Sequence, residues 1–203
     1  MCMKLSNRFT FMRFCFAPVF FILYYIPIWT SSPLLGRISA FVMIPLLAFF
    51  ELTDYFDGHY ARKNNEVSDF GKLFDPFADV MLNLTVFVCA LHSSWTGRGY
   101  IPLAIFLFIM YREFSMNFLR VIAMKNGVAI AARKGGKFKT VFYIISGFYM
   151  LALESACRLG IPLPAVPVLH VGAVVMFVIC LILSYASFID YLVHFVPLVR
   201  NDL

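Results

Sequence analysis

The stretch "DYFDGHYARKNNEVSDFGKLFDPFADV", Asp54–Val80, gathers five aspartates in a chain of 203 residues that has only eleven acidic ones. Its surroundings make that concentration costly. Hydrophobic residues are 62% of the chain and the mean hydropathy is +0.83, where soluble domains average about 45–50% apolar. Carboxylates at the edge of a low-dielectric phase lose hydration and repel one another. Asp54 and Asp57 are three apart, and Asp75 and Asp79 four apart, so on helices each pair shares a face. A helix ending near residue 62 and another starting near 69 run antiparallel, joined around Gly58 and Gly71, and set four carboxylates opposite one another. A divalent cation is the simplest neutraliser, and an all-oxygen donor set favours Mg²⁺ or Mn²⁺ over Zn²⁺. The plainer reading, solvated acids paired with Arg62, Lys63 and Lys72, suits Glu66 and Asp69, which lie off the paired faces.

Outward from that stretch the chain reads as an all-α integral membrane protein in one domain, 1–203. Apolar segments near 14–30, 38–62, 69–92, 101–125, 137–159 and 168–196 approach or exceed the roughly 20 residues a spanning helix needs. Residues 1–13 are expected to form an interfacial helix ahead of a six-helix bundle over 14–200. Lys4, Arg8 and Arg13 before an apolar run outline a signal peptide, but no A-x-A-like site follows Trp29, so the segment is expected to be retained. The loops after the first, third and fifth spans carry one cation each, Arg37, Arg98 and Arg158. The remaining Lys and Arg lie mainly at the opposite end. That bias puts both termini and the carboxylates on the cytoplasmic side, in bacteria of the inner membrane. A net charge of +6 distributed this way serves topology, and no nucleic-acid partner is expected. The five cysteines form no CxxC pair and read as buried free thiols.

The pattern Asp54-x-x-Asp57-Gly58-x-x-Ala61-Arg62, eight residues to Gly71, then Asp75 and Asp79 after three-residue gaps, resembles at every defined position the signature of the CDP-alcohol phosphotransferase family. The resemblance implies a six-helix membrane fold, a homodimer, and transfer of a phosphatidyl group from a CDP-activated donor to an alcohol with release of CMP. It implies metal ligation by Asp54, Asp57 and Asp75, with Asp79 beside them and acting as base. Gly58, Ala61, Arg62 and Gly71 would line the CDP site. The opening "KLSNRFTFMR" is similar to the family's "PNxLTxxR" element, with Ser6 for the usual Pro, and would bring Asn7 and Arg13 to the donor phosphates. Lys4 and Arg8 read equally well as anchors to lipid headgroups.

The acceptor is addressed by "YREFSMNFLRVIAMKNGVAIAARKGGKFKT", residues 111–140. It resembles the "REfxxsGLRxxAAxxGxxIAASxxGKxKT" region of bacterial phosphatidylglycerophosphate synthases, which use glycerol 3-phosphate with CDP-diacylglycerol. Independently, guanidinium groups within a membrane helix need an anion. Arg112 and Arg120 are about two turns apart and Lys137 begins the next span, so the three are expected to hold an acceptor phosphate. Phe118, where Gly is usual, is expected to reshape the pocket near Arg120. Inositol phosphate or a neutral alcohol such as choline or serine is the enzymatic alternative. A divalent-cation transporter is the alternative of another class, and it leaves the fixed glycines and Arg62 without a purpose.

Overall fold

The computed structural model describes the backbone of residues 5–63, 69–94, 97–125, 127 and 134–199, and the side chains of 10–53, 71, 73–94, 97–125, 127 and 135–194. Helices are the only regular elements among them: α1 (Leu5–Thr30), α2 (Pro33–Lys63), α3 (Asp69–Cys89), α4 (Leu103–Lys125), α5 (Lys134–Arg158) and α6 (Val166–Val199). Local chemistry sets several ends. Ser32 caps α2, its hydroxyl accepting from the Leu35 N–H at 3.5 Å, and Pro33 follows at the first helical position, where a missing N–H costs nothing. After α5, Gly160 takes φ 70°, with Gly160 N–H bonded to the Cys157 carbonyl and Ile161 N–H to that of Ala156. This double bond closes the helix in a turn that only a residue at ease in the left-handed region completes without strain.

α1 packs on α2 and α3, α5 on α2, α3 and α6, and α4 on α3 and α6. The shared core holds Phe20, Tyr24, Leu47, Phe87, Met150 and Phe177. Outside it, Phe41, Phe118 and Val168 are among many large apolar side chains left exposed. Water would penalise such a surface; lipid does not. α1, α2, α5 and α6 contain stretches long and apolar enough to cross a membrane. α3 and α4 are of comparable length, 21 and 23 residues, about 30–35 Å at 1.5 Å per residue, but carry Asp75, Asp79, Arg112, Glu113 and Arg120 within them. The protein is a multi-pass membrane protein, and the charged residues of α3 and α4 lie within otherwise apolar helices.

Two expectations are revised. No break separates residues 5–13 from the first span: Leu5–Thr30 is one helix, running through Arg13 and past Pro18. Thr10 and Arg13 are one turn apart, and a continuous helix buries both against α3 rather than laying them along the headgroups. Phe118 is 66% exposed on the outer side of α4 and does not line the cavity described below, so it does not reshape the space near Arg120.

At the far end from the aspartates, Arg158 is not the solvated loop cation its position suggests. Its Nε donates to Glu154 at 2.8 Å, one Nη to Ser39 Oγ at 2.6 Å and the other to the Tyr24 carbonyl at 3.1 Å. Glu154, 2% exposed, also accepts from Ser94 N–H and hydroxyl and from Tyr100. Burial, and then the Glu154 carboxylate, raises the Tyr100 phenol above its ordinary value and keeps it the donor. The cluster ties α1, α2, α5 and the α3–α4 connection together. Glu154→Ala removes the anion and strands a buried guanidinium, a loss of about 3–5 kcal/mol. A clearly lowered unfolding midpoint in detergent is the expected result; an unchanged one would show that the cluster contributes no stability.

Candidate active site

Asp75 and Asp79 lie one turn apart on α3 and turn the same way, towards α1, where Thr10 and Arg13 have the matching spacing. Thr10 Oγ1 donates to Asp75 Oδ1 at 2.6 Å, and the Arg13 guanidinium pairs with Asp79 Oδ1. Arg13 is 2% exposed, whereas the Asp79 side chain is 40% exposed and faces a cavity of about 390 Å³. Pro76, between the two aspartates, also lines that space. Asn83, one turn beyond Asp79, lines it as well while its amide donates to the Asp79 carbonyl at 2.9 Å.

The opposite wall comes from α4, α5 and α6. Arg112, Arg120 and Lys137, expected to converge, all line this one cavity, but they are held differently. All three nitrogens of Arg112 donate: Nε to the Ser184 carbonyl at 2.9 Å, Nη1 to both Glu113 oxygens at 3.0 Å, and Nη2 to Ser187 Oγ at 3.3 Å, which leaves a second Nη2 hydrogen. Arg120 reaches the Tyr191 hydroxyl of α6. Lys137 stands exposed at the mouth. Glu113 Oε1 also accepts from Lys139 Nζ at 2.8 Å and from the Tyr143 hydroxyl at 2.9 Å. Five cationic side chains and three carboxylates border the cavity among the described residues, an excess of two positive charges.

Sequence reasoning missed Glu113, Tyr143 and Tyr191, and assigned Lys139 no role in the site. The signal for Glu113 was present: a carboxylate beside Arg112 in mid-span is as costly as the arginine and needs its own explanation. Glu51 also lines the cavity. Asp190 lies elsewhere, its carboxylate 3.3 Å from His194. Of the thiols, Cys89 and Cys180 are buried as expected, while Cys15 is exposed on the outer surface of α1.

The side chains of Asn7, Asp54, Asp57, Ala61 and Arg62, and whatever Gly58 faces, lie outside the described residues; the backbone at these positions is helical, on α1 and α2. Gly71 is buried in the first turns of α3. No three potential metal ligands converge among the described residues, which supply only Asp75 and Asp79 of the four aspartates. Those two still fit a hard cation: both are carboxylates on one face of α3, near a hydroxyl and a side-chain amide, with no thiol or imidazole among the described residues that border the cavity.

Comparison with known proteins follows the same line. The family model for CDP-alcohol phosphatidyltransferase matches residues 3–186. A Treponema pallidum (strain Nichols) protein named CDP-diacylglycerol–glycerol-3-phosphate 3-phosphatidyltransferase is 36% identical over 205 residues, covering 98% of this chain and 92% of the relative. Proteins of the same name from Bacillus subtilis (strain 168), 31% identical over 70% of this chain and 74% of the relative, and Rickettsia typhi (strain ATCC VR-144 / Wilmington), 34% identical over 68% of this chain and 70% of the relative, are also similar.

Proposed function

The chain belongs to the CDP-alcohol phosphatidyltransferase family and is a membrane transferase, and we propose that it transfers the phosphatidyl group of CDP-diacylglycerol to glycerol 3-phosphate, giving phosphatidylglycerol phosphate and CMP. The observation that carries the acceptor is the cavity's charge. A phosphate monoester bears close to two negative charges at neutral pH, which can offset the excess of two among the described residues of the walls. Choline, serine or free glycerol leaves that excess uncompensated in a low-dielectric setting.

In this reading the 1-hydroxyl of glycerol 3-phosphate attacks the β-phosphorus of the donor. A new P–O bond forms, the bond to the CMP oxygen breaks, and Asp79 takes the hydroxyl proton. Arg120 and Lys137 bind the acceptor phosphate, with Arg112 behind them through its remaining Nη2 hydrogen. Asn7, Arg13, Gly58, Ala61, Arg62 and Gly71 hold the nucleotide and its phosphates. Asp54, Asp57 and Asp75, with Asp79 beside them, are the residues to hold Mg²⁺ or Mn²⁺, which when bound supplies positive charge against the pyrophosphate oxygens as CMP leaves. The cation bias supports a site and both termini that face the cytoplasm; the inner membrane as the location and a homodimer as the working unit belong to the same proposal.

The test is CMP release by purified protein with glycerol 3-phosphate, free glycerol, inositol phosphate, choline and serine. Glycerol 3-phosphate is the expected acceptor. Arg120→Gln removes a bidentate partner of the phosphate and is expected to raise the KM for glycerol 3-phosphate about tenfold or more, with the KM for CDP-diacylglycerol little changed. Equal use of free glycerol, or an Arg120→Gln effect confined to the donor, would assign the cationic cavity to lipid headgroups and reopen the choice of alcohol.

A further inference from the structure

Glu113 is a buried carboxylate, 2% exposed, in the wall of the cavity, and the chemistry above gives it no task. Its contacts are unusually complete. Oε1 accepts from Lys139 Nζ, Tyr143 OH and Arg112 Nη1, and Oε2 from Arg112 Nη1, at 2.8–3.0 Å. We propose that Glu113 is a positioning residue for the acceptor phosphate, fixing Arg112 on one side and the start of α5 on the other so that Arg120 and Lys137 present their charge at one place; this rests on the acceptor reading of the cavity.

The geometry makes the carboxylate a fixed point for two helices. Lys139 and Tyr143 are one turn apart on α5, so two bonds to the same oxygen set the rotation of that helix about its axis. Rotation fixes where Lys137 stands, two residues before Lys139. The start of α5 already lies close to α6: a Cβ on Gly136 would meet the Tyr191 hydroxyl at 3.4 Å and Ser187 Oγ at 3.8 Å. Arg112 is tied to the same α6 through Ser184 and Ser187. Glu113 therefore joins α4 to α5, Arg112 joins α4 to α6, and the three helices so tied form one wall of the cavity. Charge gives a second argument. Without Glu113 five cations would face two carboxylates, an excess of three, and Arg112 and Lys139 would repel each other. With it, the excess is the charge of a phosphate monoester.

Glu113→Asp tests position without changing charge, because it withdraws the carboxylate by one C–C bond, roughly 1.5 Å. The expected result is a KM for glycerol 3-phosphate raised at least about fivefold, with kcat within about threefold and the KM for CDP-diacylglycerol within about twofold. The double variant Glu113→Gln/Lys139→Gln keeps the excess at two and avoids a stranded buried lysine, so it is expected to fold and to show the same raised acceptor KM. An acceptor KM equal to the parent's in either variant would overturn the proposal, as would equal losses for both substrates, which mark a general loss of structure. Arg120→Gln, measured alongside, separates the two readings. If it raises the acceptor KM while Glu113→Asp does not, only the role of Glu113 fails. If it leaves the acceptor KM unchanged, the acceptor reading fails and this proposal with it.

Discussion

Asp54→Ala, Asp57→Ala and Asp75→Ala are each expected to lower CMP release by roughly a thousandfold or more, the loss of several kcal/mol of charge stabilisation in the transition state. Asp75 gives the clearest case. It is half-buried on α3, its Oδ1 already holds the Thr10 hydroxyl, and Asp79 lies one turn further on. An alanine there removes one of the aspartates proposed to hold Mg²⁺ or Mn²⁺ and leaves Thr10 without this acceptor, while the apolar contacts of α1 with α3 through Phe14, Phe74 and Phe77 persist. The fold should therefore survive. A second readout separates metal binding from turnover: Mn²⁺ is expected to raise the unfolding midpoint of the parent by mass action, and of the three variants much less. Near-parent turnover in the variants with excess chelator present would remove the metal from the reaction. An equal Mn²⁺ shift in parent and variants would place the cation elsewhere.

The aspartates were legible because two periodicities coincide: acids at helical spacing on two neighbouring segments, in a chain whose composition makes each one expensive. Helix number and order were legible for the same reason, since apolar runs bounded by Gly, Pro and Ser leave few alternatives. What stayed hidden depends on distance in sequence. Arg13 and Asp79 are 66 residues apart and Thr10 and Asp75 are 65, and nothing in either segment states that one helix lays its face on the other. The unbroken run of α1 through Arg13 follows from that pairing, so the boundary could not be placed without it. The basic cluster shows a further limit. Spacing shows that Arg112 and Arg120 share a side of α4, but not that Arg112 spends its hydrogens on Glu113 and α6 while Arg120 turns to Tyr191. Glu154 and Arg158, four residues apart, are a pair any helix allows; that they sit buried under Tyr24 and Ser39 is tertiary information.

Asp79→Asn separates binding from chemistry. The amide has nearly the size of the carboxylate and can still accept a hydrogen bond from Arg13, so the contact between α1 and α3 is altered in charge but not in shape. It cannot take a proton from the acceptor hydroxyl. Turnover is expected to fall by roughly 10²–10⁴-fold, the range for removing a general base, while CDP-diacylglycerol binds within about threefold of its parent affinity, because the donor site draws on other residues. The 40% exposure of the Asp79 side chain supports the assignment. Among the described carboxylates bordering the cavity, Asp79 combines that openness with a place on the aspartate face of α3, whereas Glu113 is closed in by its own cations. Two measurements decide it: donor affinity by direct binding, and the single-turnover rate of CMP formation with saturating glycerol 3-phosphate. High turnover in the variant would send the proton to another group. A parallel collapse of donor affinity would mean that Asp79 acts through the donor and its cation, with Arg13 as the partner that holds it there, and not as the base.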